Sequence, residues 1–214
     1  GNLVALAQHN IKRLMAYSSV GQVGIILTGV AALSADSILP ASGVMLYLVG
    51  YSLTNMLVFA GLISFFNMTG REDISAFRGL ADGQPFLAAT IAIGLFSLGG
   101  MPIFAGFTIK FYLFTALASQ GLLWLAGLAI FSSLISLYYY LQVIRQMYIR
   151  PVEEVAEAIA GEEVYIPTGP EVSTSPLILM VQSVSLVGVF WVGVYPAPFL
   201  AVIDAASHAI LPGL

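Results

Sequence analysis

The sequence predicts an all-α integral membrane protein, a bundle of transmembrane helices in which one helix is discontinuous. Hydrophobic residues make up 59% of the 214-residue chain and charged residues only 8%, with a mean hydropathy of +0.95. Soluble domains carry about 25% charged residues, so this chain could not cover a water-facing surface. The apolar residues form runs of about 20, the length that crosses a bilayer as a helix. One run is too long for a single crossing and contains the sequence Gly-Gly-Met-Pro.

Polar segments divide the apolar residues into five predicted crossings of a single transmembrane domain, 1–214. The predicted helices are 14–34, 43–66, the broken pair 86–101 and 103–119, then 122–147 and 177–195. A stub at 1–8 is interpreted as the end of a preceding crossing, and an apolar tail follows the last helix. The polar loop 67–85 has room for a short interfacial helix. The loop 148–176 is predicted to be a solvated acidic surface.

Segment 86–119 is the reason for predicting a discontinuous helix. As one continuous helix it would be roughly 50 Å long, against a hydrocarbon core of about 30 Å. Gly99, Gly100 and Pro102 lie near its middle. Proline lacks a backbone donor and clashes with the preceding turn, and glycine loosens the helix further. Interrupted helices at membrane depth are tolerated where the freed backbone is buried in protein or lines a watery cavity.

The basic residues predict the orientation of the bundle. Apart from Lys110, they lie in three alternate loops: Lys12, Arg13, Arg71, Arg78, Arg145 and Arg150. The opposite ends of the predicted helices carry no Lys or Arg. Because loops rich in Lys and Arg stay on the cytoplasmic side, loops 67–85 and 148–176 are predicted to be cytoplasmic.

Lys110 is the one full charge within a membrane-length apolar segment. A lysine at that depth costs about 2.5 to 3.5 kcal/mol on insertion scales. Three roles are open: snorkelling of the ammonium to the interface, a static ion pair, or a proton carrier. Snorkelling is hindered by about 12 Å of helix to the segment's end. No acid lies within a predicted crossing, so an ion pair would need a partner from outside them. Burial favours the neutral amine, which makes the proton carrier the preferred hypothesis.

Polar residues within the crossings are a weaker signal. Side chains of this kind mostly hydrogen-bond between helices, and that is the expectation for any single one. As a set their hydroxyl and amide groups could also support a chain of water molecules, because hydroxyls both donate and accept. The candidates for such a polar path are Tyr17, Ser18, Gln22, Tyr51, Tyr112 and Tyr139.

Composition also argues against several classes of site. The chain has no cysteine, which excludes disulfides and thiolate metal ligation within it. Its two histidines, His9 and His208, are far apart and have no ligand-like spacing, so no metal site is expected. The net charge of −4 gives no indication of nucleic acid binding. The chain opens with GNLVALAQ, as though inside a helix, so it is expected to be a fragment of a longer protein.

Three stretches resemble one known family, the antiporter-like membrane subunits of respiratory complex I (NADH:quinone oxidoreductase) and their Mrp antiporter relatives. HNIKRLMAYSSVGQVG (9–24) is similar to the family's NIKRLLAYSS-type stretch. SLGGMPIFAGFTIKFYLF (97–114) is similar to the stretch that forms the family's broken helix, and ISLYYYLQVIRQMY (135–148) to the helix after it. The Lys-Phe-Tyr sequence at Lys110 resembles the N-type members. Gln22 departs from the pattern, since many members have His there.

The resemblance implies the antiporter-like fold, a location in the bacterial inner membrane, and a role for Lys110 in passing protons. It implies partners in the missing N-terminal half, the M-, K-, A- and J-type membrane subunits and the lipid bilayer. It places NADH, FMN, iron–sulfur clusters and quinone on other subunits, so no cofactor is expected here. The expected function is that of a non-redox, proton-translocating subunit of the oxidoreductase. A self-standing Mrp-type cation/proton antiporter and a structural scaffold are the alternatives.

Overall fold

A computed structural model describes residues 1–34, 37–148 and 175–210, without the side chains of the last three. The described residues form α-helices joined by short turns. Within these described ranges, four helices are long and apolar enough to cross a membrane. The helices are α1 (Asn2–Ala5), α2 (Ile11–Ala31), α3 (Leu39–Thr69), α4 (Leu80–Gly83), α5 (Pro85–Gly99), α6 (Ala105–Ser119), α7 (Leu123–Tyr148), α8 (Pro176–Val194) and α9 (Ala197–Ile210). This all-α membrane architecture confirms the predicted fold class. Most of the acidic loop predicted at 148–176 lies outside the described residues.

Several helix ends differ from the hydropathy boundaries because local cap and turn residues, rather than the limits of the apolar runs, set them. α2 starts before its predicted first residue because the Asn10 side chain accepts a hydrogen bond from the Arg13 amide. An N-cap of this kind supplies a partner to an amide that the first turn leaves free. α3 starts early, with Pro40 in its first turn, and ends at Gly70, which has φ of +64°. The helices predicted at 14–34 and 43–66 therefore lie at 11–31 and 39–69 in the structure.

The stretch after α8 was predicted only as an apolar tail, and the structure corrects this. It forms α9, which packs against α3. Ser42 of α3 donates to Asp204 at 2.6 Å and lies 3.2 Å from Ser207. Single-sequence hydropathy did not indicate this helix because its polar residues recur on one face, which makes it amphipathic rather than uniformly apolar.

The discontinuous helix is present and its interruption is wider than predicted. α5 ends at Gly99, and Gly100 follows with φ of +86°, a conformation open to glycine at little cost. Ile103 has φ of +80°, which costs a β-branched residue about 1 to 2 kcal/mol. α6 begins only at Ala105. The half-helices predicted at 86–101 and 103–119 thus lie at 85–99 and 105–119 in the structure.

Close packing holds the two half-helices together. A Cβ on Gly106 would lie 1.5 Å from the Ser97 carbonyl oxygen, so only glycine fits where α6 crosses the end of α5. The Gly106 amide donates to the Ser97 hydroxyl at 3.0 Å. That hydroxyl also lies 3.0 Å from the hydroxyl of Thr54 on α3. α3 packs against α5, α6 and α8, and α7 packs against both halves. Gly99 and Ala105 at the two helix ends are buried, whereas Met101, Pro102 and Ile103 between them are exposed.

The loop between α3 and α5 is folded back on the start of α2. Backbone hydrogen bonds join Ile11 to Glu72 at 2.8 Å and Ile74 to His9 at 2.9 Å. Lys12 and Glu72 form an exposed ion pair. The predicted interfacial helix is reduced to a 3₁₀ turn, Ile74–Phe77, and the single turn of α4. Gly79, with φ of +72°, separates the two and ends any longer helix there.

Candidate functional site

Lys110 lies in the first half of α6 and is buried, with 5% of its surface exposed. Its ammonium donates to the Leu98 carbonyl oxygen at 2.7 Å and to the Ser133 hydroxyl at 2.6 Å. Leu98 belongs to α5 and Ser133 to α7, so the side chain joins three helices. Snorkelling of the ammonium to the interface, one of the alternatives considered from the sequence, does not describe this geometry.

The helix interruption explains why the Leu98 carbonyl is free to accept. In a continuous helix it would accept from the amide four residues later, which is Pro102, and proline has no N–H. The last carbonyls of α5 also carry the negative end of its macrodipole, which favours a cation. The features that break the helix therefore create the acceptor for Lys110. Backbone and hydroxyl dipoles stabilise the charge of Lys110. Among the described residues, the ion pair lies elsewhere, between Lys12 and Glu72.

Gln22 of α2 shares the same carbonyl. Its amide nitrogen donates to Leu98 O at 3.2 Å, and its amide oxygen accepts from the Tyr47 hydroxyl at 2.5 Å. Both side chains are buried. The amide is therefore held in one orientation beside Lys110, between α2, α3 and the end of α5.

A tyrosine and serine cluster continues from Gln22 along α7. Tyr140 is fully buried and hydrogen-bonds Ser18 of α2. The Tyr139 ring packs edge-on against the Tyr140 ring, with the ring centroids 4.6 Å apart. The Tyr139 hydroxyl donates to the Asn2 side chain at 2.9 Å. Hydroxyl contacts of the two tyrosines therefore tie α7 to α2 and to α1.

A small cavity adjoins the Lys110 side chain. Its volume is about 10 Å³, counted as space for the centre of a water molecule, which is about the size that one water needs. The residues around it include Gln22, Tyr51, Thr54, Ser97 and Lys110, but the surface that they turn towards it is almost wholly apolar.

The residues singled out from the sequence are only partly brought together. Lys110, Gln22 and Tyr51 meet at the cavity, while Ser18 and Tyr139 lie in the neighbouring tyrosine and serine cluster. Tyr17 is half-buried and packs against the apolar core. Tyr112 packs against a second apolar cluster, which includes Ile203 of α9. A part for these two residues in a polar path stays a prediction.

Four partners in the site were not singled out from the sequence: the Leu98 carbonyl, Ser133, Tyr47 and Tyr140. For Leu98 a signal existed, because Pro102 lies four residues later and must leave that carbonyl unpaired. The three side chains were indistinguishable by sequence from other hydroxyl groups in the spans. Only the packing of α2, α3 and α7 around the interruption selects them.

The fold and site define a class: helical membrane proteins in which a discontinuous helix, with its freed backbone groups, forms a polar site at membrane depth. The sequence profile of the family described as NADH:quinone oxidoreductase/Mrp antiporter, TM matches residues 1–136. The chain belongs to this family. The resemblance noted in the sequence motifs is thereby confirmed.

Individual relatives agree with the family profile. The chain is 38% identical over 198 residues to NADH-quinone oxidoreductase subunit N of Moorella thermoacetica, covering 92% of this chain and 38% of the relative. It is 37% identical over 214 residues to subunit N of Paramagnetospirillum magneticum, covering 99% of this chain and 40% of the relative. The chain thus spans about two fifths of the length of these curated relatives.

Solved structures share the fold. A chain of respiratory complex I from Thermus thermophilus with bound aureothin superposes with a TM-score of 0.72 at 30% identity, over 94% of this chain and 42% of that one. A chain of the Mrp complex from a Dietzia species has a TM-score of 0.77 at 19% identity, over 97% and 44%. At 19% identity, the likeness to the Mrp chain shows a shared fold and nothing about function.

Proposed function

We propose that this chain is part of a proton-translocating membrane subunit of an NADH:quinone oxidoreductase, and that Lys110 carries the proton. The observation that supports the proposal most is the burial of Lys110 on the free Leu98 carbonyl without a carboxylate partner in the described residues. A static structural cation would be expected to keep a counter-ion, since an unpaired buried charge is costly. Because only dipoles contact the Lys110 amine, both its protonated and its neutral form are accessible.

The chemistry required of Lys110 is the gain and loss of one proton. The ammonium is stabilised by Leu98 O and Ser133 Oγ, and the neutral amine is favoured by its apolar surroundings. A change in hydration at the adjoining cavity would shift the balance between the two forms. A water there could accept the proton from the ammonium or return it to the amine.

Several features of the whole protein follow as parts of the same proposal. Loops 67–85 and 148–176 would face the cytoplasm of a bacterial inner membrane, because the basic residues concentrate there. The partners would be the N-terminal half of the same subunit and neighbouring membrane subunits of the M, K, A and J types. This subunit would carry no redox chemistry, with NADH, FMN, iron–sulfur clusters and quinone bound elsewhere in the complex.

The test is NADH-driven proton pumping in inverted membrane vesicles that contain the complete assembled complex. Lys110→Met should abolish acidification while NADH oxidation by an artificial acceptor, which reports assembly, continues. Lys12→Met is the matched control, because Lys12 is exposed and its surface ion pair contributes little. Normal pumping by Lys110→Met would refute the proposed role of the lysine.

A further inference from the structure

An apolar groove runs between α5 and α7 at the end of the bundle that carries the basic loops. Its volume is about 590 Å³, and Ala89, Ala92 and Phe96 of α5 line one wall. Leu141 and Ile144 of α7 line the other wall. The small alanine side chains leave the space open where longer side chains on α5 would fill it.

The groove reaches about as deep as one leaflet of a bilayer. α5 begins at Pro85, and Phe96 is the deepest lining residue on this helix, about 16 Å further along it. Half of a hydrocarbon core is about 15 Å. On α7 the lining ends at Tyr148, the last residue of the helix, which is half exposed. Tyrosine is enriched where a membrane helix meets water, so the mouth of the groove lies at the interface.

A polar pocket adjoins the mouth of the groove. Its volume is about 550 Å³, and its lining includes His9, Arg78 and Gln142. Arg145 of α7 lines both the polar pocket and the apolar groove, and it is exposed. The acidic residue of the pocket lining is Asp73, so two guanidinium groups face one carboxylate. A basic site and an apolar site therefore meet at Arg145.

The two arginines form no ion pair in the part of the chain that the structure describes. Arg78 donates to the Gln146 side chain at 3.3 Å, and the ion pair of the described ranges joins Lys12 to Glu72. A guanidinium binds phosphate with paired hydrogen bonds, because its planar fork matches two phosphate oxygens. A basic pocket beside an apolar groove at the interface therefore complements the phosphate and the acyl chain of a phospholipid.

The size of the groove favours an acyl chain over a helix of another protein. A helix is at least about 10 Å across, so a 16 Å length of it fills roughly 1,200 Å³. That is about twice the volume of the groove. A hydrocarbon chain is narrower than a helix and can bend to follow the wall, so it fits the space between α5 and α7.

We propose that the groove between α5 and α7 binds one acyl chain of an anionic phospholipid, and that Arg145 binds the phosphate of that lipid. Arg78 adds positive charge in the adjoining pocket, and the lipid comes from the leaflet on the side of the basic loops. This site goes beyond the proposed function and does not depend on it, since Lys110 lines neither the groove nor the polar pocket. The bound chain would join α7 to the first half of the discontinuous helix.

The first test places the complete assembled complex in vesicles that contain phosphatidylglycerol with a photoreactive group in its acyl chain. After irradiation, mass spectrometry should find the lipid attached to Leu141 and to its neighbours in the groove. Phosphatidylcholine with the same chain should label these residues less. Arg145→Gln should lower the phosphatidylglycerol labelling by about tenfold, because a hydrogen bond to a charged group is lost. Arg71→Gln is the matched control, since Arg71 is exposed and lines neither cavity, and its labelling should not change.

The second test fills the groove itself. Ala89→Phe puts a ring into the space that the alanine leaves, and it should abolish labelling of the groove by both lipids. Ala118→Phe is the control, because Ala118 is exposed on α6 outside the groove, and it should be labelled like the parent. NADH oxidation by an artificial acceptor reports assembly of every variant.

Three results would overturn the lipid site. The first is an unlabelled groove in the parent complex, which would mean that protein covers it. The second is equal labelling by the two lipids, and the third is unchanged labelling in Arg145→Gln or in Ala89→Phe. Lys110→Met should be labelled like the parent whether or not it pumps protons, so the lipid site and the proposed function can fail separately.

Discussion

At the scale of single residues, Lys110 shows how backbone and hydroxyl dipoles hold a buried amine that has no acid beside it among the described residues. The acceptors are a backbone carbonyl at 2.7 Å and a serine hydroxyl at 2.6 Å. The carbonyl is available only because Pro102 cannot donate to it. The same sequence feature thus interrupts the helix and supplies the dipole that stabilises the ammonium.

The Ser133 hydroxyl should have a measurable share in that stabilisation. Ser133→Ala removes one of two acceptors from the ammonium, a loss of about 1 to 3 kcal/mol for a hydrogen bond to a charged group. We expect a lower thermal stability of the purified subunit assembly and slower proton pumping. Pumping should not stop, because the Leu98 carbonyl still accepts from Lys110. Ser183→Ala is the control, because Ser183 is exposed and bonds its own helix at Leu179. Equal behaviour of the two variants would mean that Ser133 does not stabilise the lysine.

At the scale of elements, the crossing of the two half-helices depends on the absence of a side chain at Gly106. Gly106→Ala would place a Cβ 1.5 Å from Ser97 O, a backbone atom that cannot move without shifting α5. We expect loss of the assembled complex on native gels. Gly127→Ala, at a helical glycine with nothing within 4 Å, should be tolerated or should stabilise by about 0.5 to 1 kcal/mol. Normal assembly of Gly106→Ala would show that the half-helices do not cross in this way.

The loop that docks on the start of α2 should loosen in acid. Hydrogen bonds from Asn10 and from Lys12 hold the pKa of the Glu72 carboxyl below its usual value. A lowered folded-state pKa means that the stabilisation is present above the ordinary glutamate pKa and is lost as pH falls through the lowered one. Amide exchange at Ile74 and Ile11 should therefore accelerate, relative to an unfolded peptide, only in acid. Glu72→Gln should show that faster exchange already at neutral pH, and an unchanged rate would contradict the assignment.

At the scale of the whole molecule, much of the fold followed from hydropathy and from glycine and proline. Lipid requires every backbone group in a crossing to be paired internally, so long apolar runs had to be helices. Pro102 and its neighbouring glycines could only mark an interruption. α9 was missed because its pattern is amphipathic, and Tyr140, Tyr47 and Ser133 because their roles depend on which helices pack together. Tyr17 and Tyr112 pack against apolar clusters, and their part in a polar path stays a prediction.

The orientation of the bundle is a prediction that labelling in intact cells can test. Single cysteines at Asn67, next to the basic loop, and at Ser119, at the opposite end of the bundle, are both exposed. The chain has no native cysteine, so labelling within it is unambiguous. A membrane-impermeant thiol reagent should react with Ser119→Cys from outside, and with Asn67→Cys only after the membrane is opened. The reverse pattern would invert the proposed topology.

The central claim is that Lys110 exchanges a proton rather than merely holding a charge, and Lys110→Arg tests it most directly. Arginine keeps the positive charge but stays protonated in proteins, so it can compensate α5 and still cannot release a proton. Lys110→Glu removes the positive charge but supplies a carboxyl group, which can gain and lose a proton. In vesicles that contain equal amounts of assembled complex and are driven by NADH, we expect no pumping by Lys110→Arg and partial pumping by Lys110→Glu. Full pumping by Lys110→Arg would contradict the account and leave Lys110 as a structural cation.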